Sequence, residues 1–273
     1  MKRTNNVRIN FCYPDTHANT NKEVAIDNII RGIQWNRKIG FAGFLKQPHL
    51  KDYLVQKFFE DSTGKYKKLR ISDHKKIERI VRITTKKCFK QLPLSSLFVF
   101  IFPWLGAKYD TAFGGVNGFA PYVSTVHLFI VLAKFSSQSL KETLAHEFNH
   151  AVFFYHRRSA LELTLLETFI FEGLAENFRE EVIGGKPSSW SLALSQKQCK
   201  LTLLTLKRSL HSREYGLYQK VFFGSKKYKR WTGYSIGYRI IKSFRKTYPG
   251  RSWQEIMIMK PKTIFAMAPF TKK

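Results

Sequence analysis

Between Lys141 and Val182 the chain carries eight of its 13 glutamates, most of them embedded in apolar sequence. Glu172 and Glu176 stand among Leu165, Leu166, Phe169, Ile170, Phe171, Leu174 and Phe178. An unpaired carboxylate in such surroundings is expensive, so a fold that buries this segment must offer its acids cations, hydrogen-bond donors or a metal. Two helix-opening signals bound the segment. Ser139-Leu140-Lys141-Glu142 reads as a capping box for a helix that reaches about His156. Ser159-Ala160-Leu161-Glu162 reads as a second, for a helix that stops at Gly184-Gly185. A short turn around Ser159 makes the two helices antiparallel neighbours.

The first helix contains His146-Glu147-Phe148-Asn149-His150, an HExxH pattern. Positions i and i+4 differ by about 40° around a helix axis, so both imidazoles project from one face and can share a metal. Glu147 sits one residue along, where it can serve as general base on a zinc-bound water. With eight His and 13 Glu in 273 positions, chance produces this pattern in about 1% of such chains. The motif is therefore read as chemistry rather than as two buried histidines paired with glutamates.

A third ligand is needed, and two are on offer. His156 follows His150 by six residues, the spacing of HExxHxxGxxH, but Phe153 stands where that pattern has its turn-making glycine. An unbroken helix leaves His156 about 240° around from His150, where it suits a cationic helix end. Glu172, 22 residues after His150 on the second helix, is the better candidate. Two His and one Glu with an open fourth position form a catalytic zinc arrangement. Glu176, one turn further, shares the face of Glu172 and suits a supporting role, accepting the N–H of a zinc histidine.

The rest of the chain frames these helices. Residues 21–37, 50–60 and 72–91 read as helices, the last with Ile77, Ile80, Val81 and Ile83 on one side. Residues 97–102 and 125–132 are rich in β-branched and aromatic residues and read as strands. Between them runs Gly114-Gly115-Val116-Asn117-Gly118-Phe119-Ala120. Residues 191–211, 234–248 and 253–260 read as helices again. The expected class is α+β and mainly helical, with a small sheet packed on the HExxH helix and its Glu-bearing neighbour. Residues 1–96 form a helical N-terminal region, and 97–273 a catalytic region with a helical C-terminal part, in one compact unit.

HExxH followed by Glu172-Gly173-Leu174-Ala175-Glu176 resembles the gluzincin metallopeptidases. With the glycine run and Gly233-Tyr234-Ser235-Ile236-Gly237-Tyr238, it resembles more closely a bacterial family of predicted zinc-dependent proteases. The resemblance implies a zincin-like fold and a zinc peptidase that binds one Zn2+ per chain. His146, His150 and Glu172 are its implied ligands, Glu147 the base and Glu176 the supporting carboxylate. It also gives the flanking motifs roles. Gly115, Val116, Asn117 and Gly118 become substrate-binding, as a sheet edge along which an extended peptide adds or as the loop leading to it, against the plain reading of a glycine turn. Tyr234, with Tyr238 second, becomes the oxyanion donor, against the plain reading of core tyrosines. Phe171 replaces the Asn of the zinc aminopeptidases, so their recognition of the substrate amine does not carry over.

The net charge of +28 points to polyanionic or acidic partners. Eleven basic residues fall within 65–90 and 14 within 200–251. No nucleic-acid-binding motif accompanies them, so a solvated face or recruitment of acidic substrates is favoured over nucleic acid. A non-catalytic binding protein for nucleic acid or an anionic surface is the rival reading. A peptide-deformylase-like site needs an upstream cysteine ligand, and Cys12 and Cys88 are badly placed for it. Three cysteines are too few for a disulfide framework. With neither a signal peptide nor a transmembrane run in view, a cytoplasmic protein is expected.

Overall fold

The structure is a computed structural model that describes residues 5–13, 24, 27, 70–104, 114–131, 134–156 and 163–271. The chain divides into two compact units, Met1–Arg158 and Ser159–Lys273. The first described strand is bonded along the strand that begins at Ser96.

In the first unit, β1 (Asn6–Phe11) alternates half-buried Val7, Ile9 and Phe11 with exposed Asn6, Arg8 and Asn10. This period-two strand lies in the region expected to be wholly helical. It pairs in parallel with β2 (Ser96–Trp104), which pairs in parallel with β4 (Thr125–Val131). The strand β3 (Val116–Tyr122) pairs antiparallel with β4, giving the order β1-β2-β4-β3. Helix α1 spans Ile71–Gln91 and buries Ile77, Ile80, Val81, Thr84 and Cys88, a stripe at helical spacing. Ile83 falls off that stripe and is exposed, contrary to the reading that put it with the others. Helix α2 (Ser137–His156) packs on β3, β4 and α1, with Phe148 edge-on to Phe89 at 5.5 Å. The α+β class expected from the sequence holds, with a small four-stranded sheet. Of residues 21–37 only Val24 and Asp27 are described, both helical, and 50–60 lies outside the described residues.

The second unit is helical: α3 (Leu165–Ile183), α4 (Gln196–Leu206), α5 (Tyr215–Phe223), α6 (Thr232–Thr247), α7 (Trp253–Ile258) and α8 (Pro261–Met267). Helix α3 opens at Thr164, while the box expected at Ser159 lies outside the described residues. The Thr164 hydroxyl accepts from the Glu167 N–H, and the Glu167 carboxylate accepts from the Thr164 N–H. Thr164-Leu165-Leu166-Glu167 thus forms a capping box. The helix ends at Gly184, as read. Helix α6 crosses α3 so closely that Gly173 and Gly237 stand backbone to backbone. On the far side of α3, Phe178 meets buried Trp253 edge-on at 5.2 Å. Lys242 and Arg245 of α6 reach Glu180 and Glu181 of α3 at 2.7 and 2.8 Å. Part of the basic C-terminal third therefore answers the acids of α3. Among the described residues no helix is long and apolar enough to cross a membrane.

Candidate metal centre

Ser136 starts α2. Its hydroxyl accepts from the Ser139 N–H at 2.9 Å, and the Ser139 hydroxyl accepts from the Ser136 N–H at 3.0 Å. Ser139 thus fills the place assigned to Glu142, and the helix begins a few residues earlier than its expected box. From there α2 runs unbroken through Phe153 to His156, which is exposed at the helix end. Continuity of the helix turns His156 away from the face of His150.

On that face His146 and His150 stand one turn apart, ring edge to ring face, with centroids 4.7 Å apart and planes at 89°. His150 is buried and His146 half-buried. Glu147, also buried, leans on β3, where its side chain and that of Thr143 occupy the space over Gly118. Gly114 and Gly115 make the turn into β3, so the glycine run is both a turn and the start of the strand at one end of the described sheet. Val116 and Gly118 share the sheet face toward α2, while Asn117, opposite Phe129 in the register, lies on the other face.

In the second unit, α3 presents Glu172 and Glu176 one turn apart, both buried. Glu176 Oε1 is held by buried Arg179 and by Ser188, whose N–H donates to it at 3.0 Å and whose hydroxyl donates as well. Arg179 also donates to the Lys186 carbonyl at 2.9 Å, tying the loop after α3 to the helix. Neither Arg179 nor Ser188 was singled out from the sequence. An Arg one turn from Glu176 in an apolar helix was the signal available.

Three tyrosines border this part of the unit. Tyr218 of α5 was not anticipated. Burial, reinforced by the negative charge of Glu172, pushes its phenol above the usual range, which keeps the hydroxyl a donor. Its ring lies 4.8 Å from that of Phe222, and Phe222 in turn meets Phe169 of α3 and, edge-on at 5.1 Å, Tyr234. Tyr238 donates its hydroxyl to Glu180 at 2.8 Å.

A family model described as predicted Zn-dependent protease (DUF2268) matches residues 77–266, from the middle of α1 into α8. No curated protein and no solved structure matches the chain.

Proposed function

Because this chain belongs to the predicted Zn-dependent protease family (DUF2268), we propose that it is a gluzincin-type zinc peptidase in which His146, His150 and Glu172 hold one Zn2+. One observation carries the reading: the rings of His146 and His150 stand one turn apart on one face of α2, with centroids 4.7 Å apart, where two imidazoles can share a metal; Glu172, buried on α3, is the carboxylate that the motif supplies. Two imidazoles and one carboxylate form a nitrogen and oxygen set suited to zinc, with a fourth position left for water or substrate.

Zinc held by these residues would supply a Lewis acid that lowers the pKa of bound water. The protein's part is proton transfer and positioning. Glu147 takes a proton from the attacking water and delivers it to the leaving amine, so a single carboxylate serves as base and then acid. Its burial keeps bulk water from competing for that proton. Glu176, with Oε1 anchored by Arg179 and Ser188, orients a ligand and raises its basicity. The strand β3, last in the order of the described sheet, receives an extended peptide along Gly115, Val116, Asn117 and Gly118. Tyr234 donates to the oxyanion; Tyr238 is engaged by Glu180.

The test is Glu147→Gln, assayed for zinc content and for hydrolysis of a fluorogenic peptide library. Zinc should stay near one per chain while turnover falls roughly 100- to 10,000-fold, the range of a lost acid–base group. Near-normal turnover with zinc bound would sink the assignment.

A further inference from the structure

Glycine is a poor strand residue, since it packs nothing and loses the most backbone entropy on folding. Gly118 nevertheless sits inside β3, opposite Leu128 of β4. Its backbone does not require glycine: it is not among the residues of positive φ, unlike Gly114 and Gly115 earlier in the same run. What it requires is room. A Cβ at 118 would lie 3.0 Å from Glu147 Oε1, 2.5 Å from Thr143 Cγ2, and closer still to Glu147 Cγ. Glu147 has little freedom to yield, being only 8% exposed on a helix packed against β3 and β4.

We infer that Gly118 is a positioning residue, whose bare backbone forms the seat that fixes the Glu147 side chain against β3. The inference rests on the reading of Glu147 as the base and adds what aims it. A methyl group at 118 displaces the carboxylate, since the atoms it meets first belong to Glu147 and Thr143. A shift of the order of 1 Å in a reacting group costs up to about 100-fold in rate.

Two measurements separate this seat from general strand–helix packing. The first uses metal-free protein with Thr143→Ser throughout, so that the other closest contact is removed from every arm. Thermal midpoints are compared for Gly118→Ala with Glu147 present and with Glu147→Ala. If the seat exists, the added methyl lowers the midpoint by on the order of 5 °C beside Glu147, and by much less once Glu147→Ala has emptied the space above it. Equal losses in both arms overturn the inference. The second is steady-state kinetics of zinc-loaded Gly118→Ala/Thr143→Ser against Thr143→Ser alone. The expected result is a 10- to 100-fold drop in kcat with zinc content unchanged. Unaltered kcat overturns it. Glu147→Gln, run alongside, keeps the two readings apart. If that variant stays active, the base assignment fails. If it is inactive while Gly118→Ala turns over normally, only the seat fails.

Discussion

Gly173 and Gly237 touch through their backbones. A Cβ on Gly173 would lie 2.5 Å from the carbonyl carbon of Gly237 and 2.8 Å from Ile241 Cγ1, and closer than either to the Gly237 oxygen. The crossing of α3 and α6 is set by this contact, one residue from Glu172. The first prediction follows directly. Gly173→Ala forces the helices apart and costs about 3 kcal/mol or more, at the upper end of overpacking effects. Gly250→Ala, with no described residue within 4 Å of its new methyl, should change stability by less than about 0.5 kcal/mol. Chemical denaturation of both variants checks the contrast, and equal effects would refute the close-contact account.

The second prediction concerns the third ligand. Helix α2 is continuous through Phe153 and leaves His156 exposed at its end. Glu172→Ala should therefore purify with little zinc, and His156→Ala with about one per chain. Glu176→Ala should weaken zinc roughly 10- to 100-fold, as loss of a ligand's supporting partner does. Metal analysis of the three proteins decides. Loss of zinc in His156→Ala alone would overturn the gluzincin reading.

The third prediction is about the buried pair on α3. Arg179 and Glu176 are 2% and 3% exposed, so removing one partner strands the other's charge. Arg179→Met should cost about 3–5 kcal/mol. Adding Glu176→Gln should recover part of that, since the uncompensated carboxylate is gone. Urea midpoints of the single and double variants measure the recovery, and a double variant less stable than Arg179→Met contradicts it.

A fourth prediction concerns His127 on β4. Its side chain is fully buried, with rings of Phe100 and Phe102 at 5.4 and 5.2 Å, and among the described residues neither ring nitrogen has a hydrogen-bond partner. Burial lowers its pKa from 6.5 to about 3. As pH falls through 6.5 the unfolded chain takes up a proton that the folded chain refuses until about 3. Stability contributed by the neutral ring is thus whole above 6.5 and is lost across that window. The limiting slope is about 1.4 kcal/mol per pH unit. In metal-free protein His127→Phe should flatten the dependence of the thermal midpoint between pH 6.5 and 4; parallel curves would refute the assignment.

The candidate site was legible because its chemistry is periodic. HExxH fixes two imidazoles on one helical face wherever the helix begins, so moving the start from Ser139 to Ser136 changed nothing that mattered. The same tolerance covered α3, which opens at Thr164 and still carries Glu172 and Glu176 one turn apart. Arg179 and Ser188 stayed hidden because a buried ion pair is a property of packing: the sequence shows an Arg near a Glu but not that both leave water. Tyr218 escaped for a related reason. Helix α5 is short and has no side-chain cap, so nothing local announced it. In the sequence the glycines of residues 233–238 stand with the tyrosines in one motif. In the structure Gly237 makes the helix crossing, a contact with a partner about 64 residues away.

The strand β1 has a consequence for biosynthesis. Its register sets Asn6 beside Ser96, so its bonding partner leaves the ribosome some 90 residues later, roughly 5–20 s at ordinary elongation rates. Throughout that interval a segment of strand pattern waits with its ladder groups unsatisfied, the condition in which nascent chains adhere to one another. Exposed Asn6, Arg8 and Asn10 occupy every second position of the waiting segment. Charge and amide groups there keep a cohesive stripe from forming on one of its two faces, so the same alternation that delivers Val7, Ile9 and Phe11 to the sheet also protects the unfinished chain.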